Sequence, residues 1–106
     1  MDIQLKRGLL EVCVLAALMS GESYGYALIR DVSECVEISE STLYPILRRL
    51  ESAAMLTVSS REHNGRLRKY YAITDAGRAR VDAFVAEQRE IMQVFRFIEQ
   101  KKGESR

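Results

Sequence analysis

Residues 38–74 hold four kinds of pattern in immediate succession: ISESTLYPILRRLESAAM, LTVSS, REHNGRLR and KYYAIT. In the first, Leu43, Ile46, Leu47 and Leu50 recur at helical spacing and mark one apolar stripe. The second and fourth alternate apolar with polar residues, as half-buried strands do, and predict strands over Met55–Ser60 and Leu67–Ile73. Between them Arg61–Arg66 carries Asn64-Gly65, a pair that tolerates positive φ and closes tight hairpins. A helix followed at once by a two-stranded hairpin with an arginine-rich tip is how a winged helix is written in sequence.

The flanking segments complete three helices and add a fourth. Leu9–Met19 is apolar on nearly every side, which predicts a central helix covered by neighbours on several faces. Gly21 breaks it, and Ser23 stands at an N-cap position before YGYALIRDVSE, where Tyr24, Ala27, Leu28 and Val32 supply the packing face. Gly25 near that start either permits close helix approach or is a tolerated defect costing under about 1 kcal/mol. Ser39 is the expected N-cap of the third helix, Ser39–Ala54, with Glu40 in its first turn. Pro45 withholds a hydrogen bond from the carbonyl of Ser41, so a slight kink or a loosened first turn is expected. Thr74 caps the last helix, which opens on Asp75. The fold class is therefore mainly α, an α+β winged helix: a three-helix core, a two-stranded wing and a long C-terminal helix. The expected organisation is 1–74 for the winged unit, 75–100 for the long helix and 101–106 for a frayed tail.

That last helix carries Val81, Phe84, Gln88, Ile91, Phe95 and Ile98 at spacings of 3 and 4, and Val85 and Met92 widen the stripe. From Asp75 to Glu99 it would run roughly 37 Å, longer than a domain of this size can cover. Its apolar side chains represent on the order of 10–20 kcal/mol when fully buried. A twofold homodimer is the expected cover, with these eight residues at its interface and Gln88 fixing register across the axis. The simpler alternative folds the helix back onto its own chain.

The chain has 106 residues and a formal net charge of +1, so bulk charge gives no argument for nucleic acid. Distribution does. Residues 61–80 hold six bases against two acids, whereas Asp31, Glu34, Glu37 and Glu40 crowd residues 31–40 without one base. Cys13 and Cys35 match neither metal-ligand nor disulfide spacing, and His63 has no Cys or second His near it, so neither metal nor cofactor is expected. No phosphate loop, HExxH or CxxC pattern occurs, and no nucleophile stands with an obvious base; an enzyme is not expected. The amino terminus lacks a signal-peptide h-region and Leu9–Met19 is too short to span a bilayer, which leads to the expectation of a cytoplasmic protein without membrane partners.

Three segments, SYGYALIRDV at Ser23–Val32, STLYPILRRLES at Ser41–Ser52 and GRLRKYYAIT at Gly65–Thr74, carry a resemblance to the small, single-domain branch of the PadR family of bacterial transcriptional regulators. Position and order agree as far as about Ile98. The resemblance implies a winged helix-turn-helix whose long last helix packs with the first helix of a second subunit. It further implies a repressor, released in some members by flat aromatic or hydrophobic effectors at the dimer interface. The sequence contains no tryptophan, so the indole plate of some drug-sensing members is missing, and Phe84 or Phe95 would have to substitute.

In such a fold the second helix of the pair enters the major groove. Ser41, Thr42, Tyr44, Pro45 and Arg48, with Arg49 at the edge, are left to meet double-stranded DNA once the apolar stripe is committed to the core. Arg48 can grip guanine or a phosphate, and Arg49 can hold a phosphate or pair with Glu51 or Glu40. The wing supplies Arg61, Asn64, Arg66, Arg68 and Lys69, with His63 beside them. Arg66, nearest the tip, is the candidate for the minor groove, and Arg68 and Lys69 for the flanking backbone. One of Tyr70 and Tyr71 should pack on the core. A twofold dimer predicts an inverted-repeat operator. The rival reading is a winged-helix dimer that binds protein or ligand without DNA, kept open by the acidic residues around Glu40.

Overall fold

The computed structural model describes residues 1–105. Its elements run α1 (Ile3–Ala17), α2 (Gly25–Ser33), α3 (Glu40–Ser52), β1 (Leu56–His63), β2 (Arg66–Ile73) and α4 (Asp75–Glu104). Three helices pack around one core, a two-stranded antiparallel hairpin leans on it, and α4 leaves it as a rod, as the winged-helix reading requires.

Helix α1 starts six residues earlier than the apolar run suggests. Asp2 caps it by accepting the Gln4 N–H at 3.0 Å, so the polar turn Ile3–Gly8 joins the helix. Its buried residues Leu10, Val12, Val14 and Leu15 point to several sides, which fits a central helix touched by α2, α3 and α4. Ser23 does not cap α2. Its backbone exchanges two hydrogen bonds with Tyr71, at 3.0 and 2.8 Å, and so adds an isolated bridge to the edge of β2; the capping position falls to Tyr24. Ser39 does stand at the cap of α3, but its hydroxyl bonds the Ser41 and Thr42 hydroxyls rather than a backbone N–H.

Helix α3 runs unbroken through Pro45 and ends at Ser52, two residues short of the expected limit. Ala54 turns left-handed there, with φ of 58°. Its N–H meets the Glu51 carbonyl and the Met55 N–H reaches back to Leu50 at 2.9 Å, which closes the helix in a Schellman turn. The chain passes directly into β1. The hairpin's turn is tighter than the expected loop Arg61–Arg66. Only Asn64 and Gly65, with φ of 53° and 79°, lie between the strands, so Arg61, Glu62 and His63 belong to β1. Two positive φ values in a two-residue loop make a type I′ turn, whose twist suits the strands it joins. That turn sets the register, from His63 opposite Arg66 to Leu56 opposite Ile73.

Thr74 caps α4, accepting the Gly77 N–H at 3.2 Å while donating to the Ala54 carbonyl at 2.7 Å. One hydroxyl thus ties the end of α3 to the start of α4. The helix continues to Glu104, so the expected tail from Lys101 is helical for four more residues; Arg106 lies outside the described residues. At 30 residues the rod spans about 45 Å, and it accounts for the molecule's 67 Å long axis.

Candidate nucleic-acid interface

Packing divides α3 cleanly. Leu43, Ile46, Leu47 and Leu50 are buried, Pro45 is half-buried, and Ser41, Thr42, Tyr44, Arg48 and Arg49 remain at the surface. Tyr44 retains 37% exposure although its ring lies across the first residue of α2, where a Cβ on Gly25 would collide with the phenol oxygen. Gly25 is therefore small so that Tyr44 can lie flat. Burial pushes the Tyr71 phenol above its ordinary pKa, nearby Tyr44 and Glu51 add to the effect, and Arg48 opposes it. Arg48 thus sits close enough to the Tyr71 phenol for its charge to be felt.

The cations do not behave alike. Arg49 is paired with Glu11, whose carboxylate accepts from its Nε at 3.0 Å, rather than with Glu51 or Glu40. Arg61 pairs with Glu22 and lies over the Tyr70 ring at 3.7 Å. Arg68 lies over the Tyr24 ring at 3.6 Å and donates from Nε and Nη2 to the Tyr70 hydroxyl at 2.9 and 2.6 Å. Arg48, Arg66 and Lys69 are exposed and stand in none of the ion pairs among the described residues. Asn64 and His63 meet at the tip, 3.4 Å apart. Tyr71 is the core tyrosine of the hairpin, and Tyr70 lies on the opposite face with the arginines.

Between wing and helices lies a cleft of about 480 Å³, walled by Tyr24, Tyr26, Tyr44, Leu67, Arg68 and Lys69. The sequence singled out neither Glu22 nor the Tyr24 ring as partners of the wing. A signal existed in part: a two-residue Asn64-Gly65 turn forces Arg61 opposite Arg68, and alternation puts Tyr70 on the same face.

Along α4, Val81 is buried against its own chain and Phe84 and Gln88 are half-buried. Val85, Ile91, Met92, Phe95 and Ile98 are exposed, joined by Val94 and Phe97, which the stripe had not included. A groove of about 510 Å³ runs between Phe84, Val85, Gln88 and Met92. Among the described residues no cluster of His, Cys, Asp or Glu comes together that could hold a metal ion, and no helix is long and apolar enough to cross a membrane.

Helix, turn, helix and wing, with a polar helix face beside a basic hairpin, define a winged helix-turn-helix protein. Residues 14–83 match the model of the transcriptional regulator PadR-like family. A transcriptional regulator of Mycobacterium tuberculosis is 34% identical over 77 residues, 72% of each chain. A PadR-like transcription factor from Bacteroides fragilis superposes with a TM-score of 0.81 at 30% identity, over 90% of this chain and 94% of that one. Bacillus subtilis PadR, solved in complex with operator DNA, shares the fold at 22% identity and a TM-score of 0.68, over 73% of this chain and 46% of its own. The chain belongs to the PadR-like family of transcriptional regulators, and the relatives just named are regulators, not enzymes.

Proposed function

We propose that the chain is a sequence-specific DNA-binding repressor that acts in the cytoplasm as a homodimer on an inverted-repeat operator. The observation that carries this reading is the face of α3. Tyr44 and Arg48 stay in solvent, Tyr44 shares a cleft with Lys69 of the wing, and among the described residues Arg48, Arg66 and Lys69 pair with no acid. In this reading Ser41, Thr42, Tyr44, Pro45 and Arg48 meet the major groove, while Arg66 and Asn64 approach the minor groove and Lys69 the backbone. Arg49, Arg61 and Arg68 act mainly by holding the reading helix and wing in place.

Dimerisation is supported by the distal half of α4, which leaves Ile91, Val94, Phe95, Phe97 and Ile98 in water. An apolar surface of that extent on one helix calls for a partner, and a second copy is the simplest one. The groove beside Phe84, with Phe95 further along, would then close into a seam suited to a flat hydrophobic effector. Such a ligand would change the spacing of the two reading helices and release the DNA.

Footprinting on the DNA upstream of the chain's own gene tests the proposal, followed by a salt titration on a random duplex. An inverted repeat with half-sites near one helical turn apart, or a multiple, is expected. With six to ten phosphate contacts, affinity should fall by roughly 10³–10⁵ between about 50 and 200 mM salt. Absence of binding at the lower salt, or binding indifferent to Arg48→Ala and Arg66→Ala, would overturn it.

A further inference from the structure

We propose that Lys6 and Arg7, at the start of α1, form a second phosphate clamp on the side of α3 away from the wing. The inference rests on the DNA reading above and extends it to a surface that the helix and hairpin alone do not include. A helix seated in the major groove, about 12 Å wide, has a sugar–phosphate wall on each side. On one side of α3 the wing offers Lys69 across the tyrosine-walled cleft. On the other side the fold presents the first turns of α1. There Lys6 and Arg7 line a groove of about 310 Å³ with Thr42, Pro45 and Arg49 of α3.

Arg49 is already engaged at this second wall, where the Glu11 carboxylate accepts from its Nε at 3.0 Å. Lys6 and Arg7 are exposed and take part in none of the ion pairs among the described residues. Glu37 borders the adjoining recess with Lys6 without forming an ion pair with it. The floor, Leu10 and Ile46, is buried and apolar, so it offers the two cations no counter-charge. Two cations and the Thr42 hydroxyl over such a floor suit a phosphodiester oxygen. Contacts of this kind set register and add affinity without reading bases.

The test compares salt titrations on a random-sequence duplex for the wild type, Lys6→Ala/Arg7→Ala, and the charge-matched control Lys101→Ala/Lys102→Ala. Each lost phosphate contact lowers the slope of log affinity against log salt by about 0.9. The α1 double variant should therefore lose about 1.8 of slope, and the control should keep the wild-type value. Single variants Lys6→Gln and Arg7→Gln, each expected to lose about half as much, guard against misfolding of the double variant. An unchanged slope, as would follow if the groove held a small anion instead of the duplex, overturns the clamp and leaves the DNA reading standing. Equal losses in both double variants, a mere net-charge effect, also overturn it. Failure of the wild type to bind any duplex removes the parent reading as well.

Discussion

The guanidinium carbon of Arg68 lies 3.6 Å from the centroid of the Tyr24 ring, so the second strand of the wing is clasped to the residue at the N-cap of α2. Tyr70 completes the cluster: its ring meets Tyr24 edge-on at 6.1 Å, takes Arg61 on its face, and its hydroxyl accepts from Arg68. Below this, Ser23 and Tyr71 share two backbone hydrogen bonds. Wing and helix pair are thereby fixed in orientation, which is what the proposed presentation of Tyr44 and Arg66 to a single duplex requires.

Replacing Arg68 with alanine should cost about 1 kcal/mol in stability, the ordinary size of a half-buried cation–π contact, and should loosen the hairpin. Hydrogen exchange at the β2 amides is the measurement, with faster exchange expected there than in α3. Unchanged exchange would assign Arg68 to the solvent instead.

Ala54 holds φ of 58° to close α3, a conformation that brings an alanine Cβ against the following carbonyl. Glycine carries no such penalty, although it loses more entropy on folding. Ala54→Gly should therefore stabilise the protein by about 0.5–1 kcal/mol, seen as a higher denaturant midpoint at constant slope. A lower midpoint would contradict the strain argument.

Two glycines should respond differently to a single methyl group. At Gly77 the new Cβ would meet the Met55 carbonyl oxygen and lie 2.6 Å from Ile73 Cγ1, at the junction of α4 with the hairpin. Gly77→Ala should cost about 1–3 kcal/mol, since a backbone must move. At Gly25 the obstacle is the outer end of Tyr44, which can tilt outward. Gly25→Ala should cost less stability but weaken DNA binding. Combining it with Tyr44→Phe should show coupling in a double-mutant cycle, and strict additivity would refute the contact.

Burial holds the Tyr71 phenol above its usual pKa of 10.0. The unfolded chain therefore loses this proton first as pH rises, binds fewer protons than the native state, and gains in relative stability. Stability from Tyr71 is complete below about pH 10 and declines as pH climbs toward the folded value. Denaturant titrations should show this alkaline loss in the wild type and a smaller one in Tyr71→Phe.

Much of this was legible along the chain. The stripe Leu43, Ile46, Leu47 and Leu50 and the Asn64-Gly65 turn fixed α3 and the hairpin, because both depend on spacing and on local backbone preference. The same logic fixed the Thr74 cap. Reading Ser23 as a cap failed because its backbone found a strand partner, Tyr71, 48 residues away. The limit at Glu99 failed because Lys101 and Lys102 continue a helix to whose negative end they are suited.

The sequence by itself determined the order of elements, the core stripe of α3 and the basic character of the wing, since each follows from periodicity or turn chemistry within a few residues. Tertiary structure alone decided which cations are at liberty. Arg49, Arg61 and Arg68 look no different from Arg48 and Arg66 in a string of letters, yet Glu11, Glu22 and Tyr24 engage the first three. Those partners come from other elements, brought within about 4 Å by packing, and Coulomb and cation–π attraction act through space rather than along the chain.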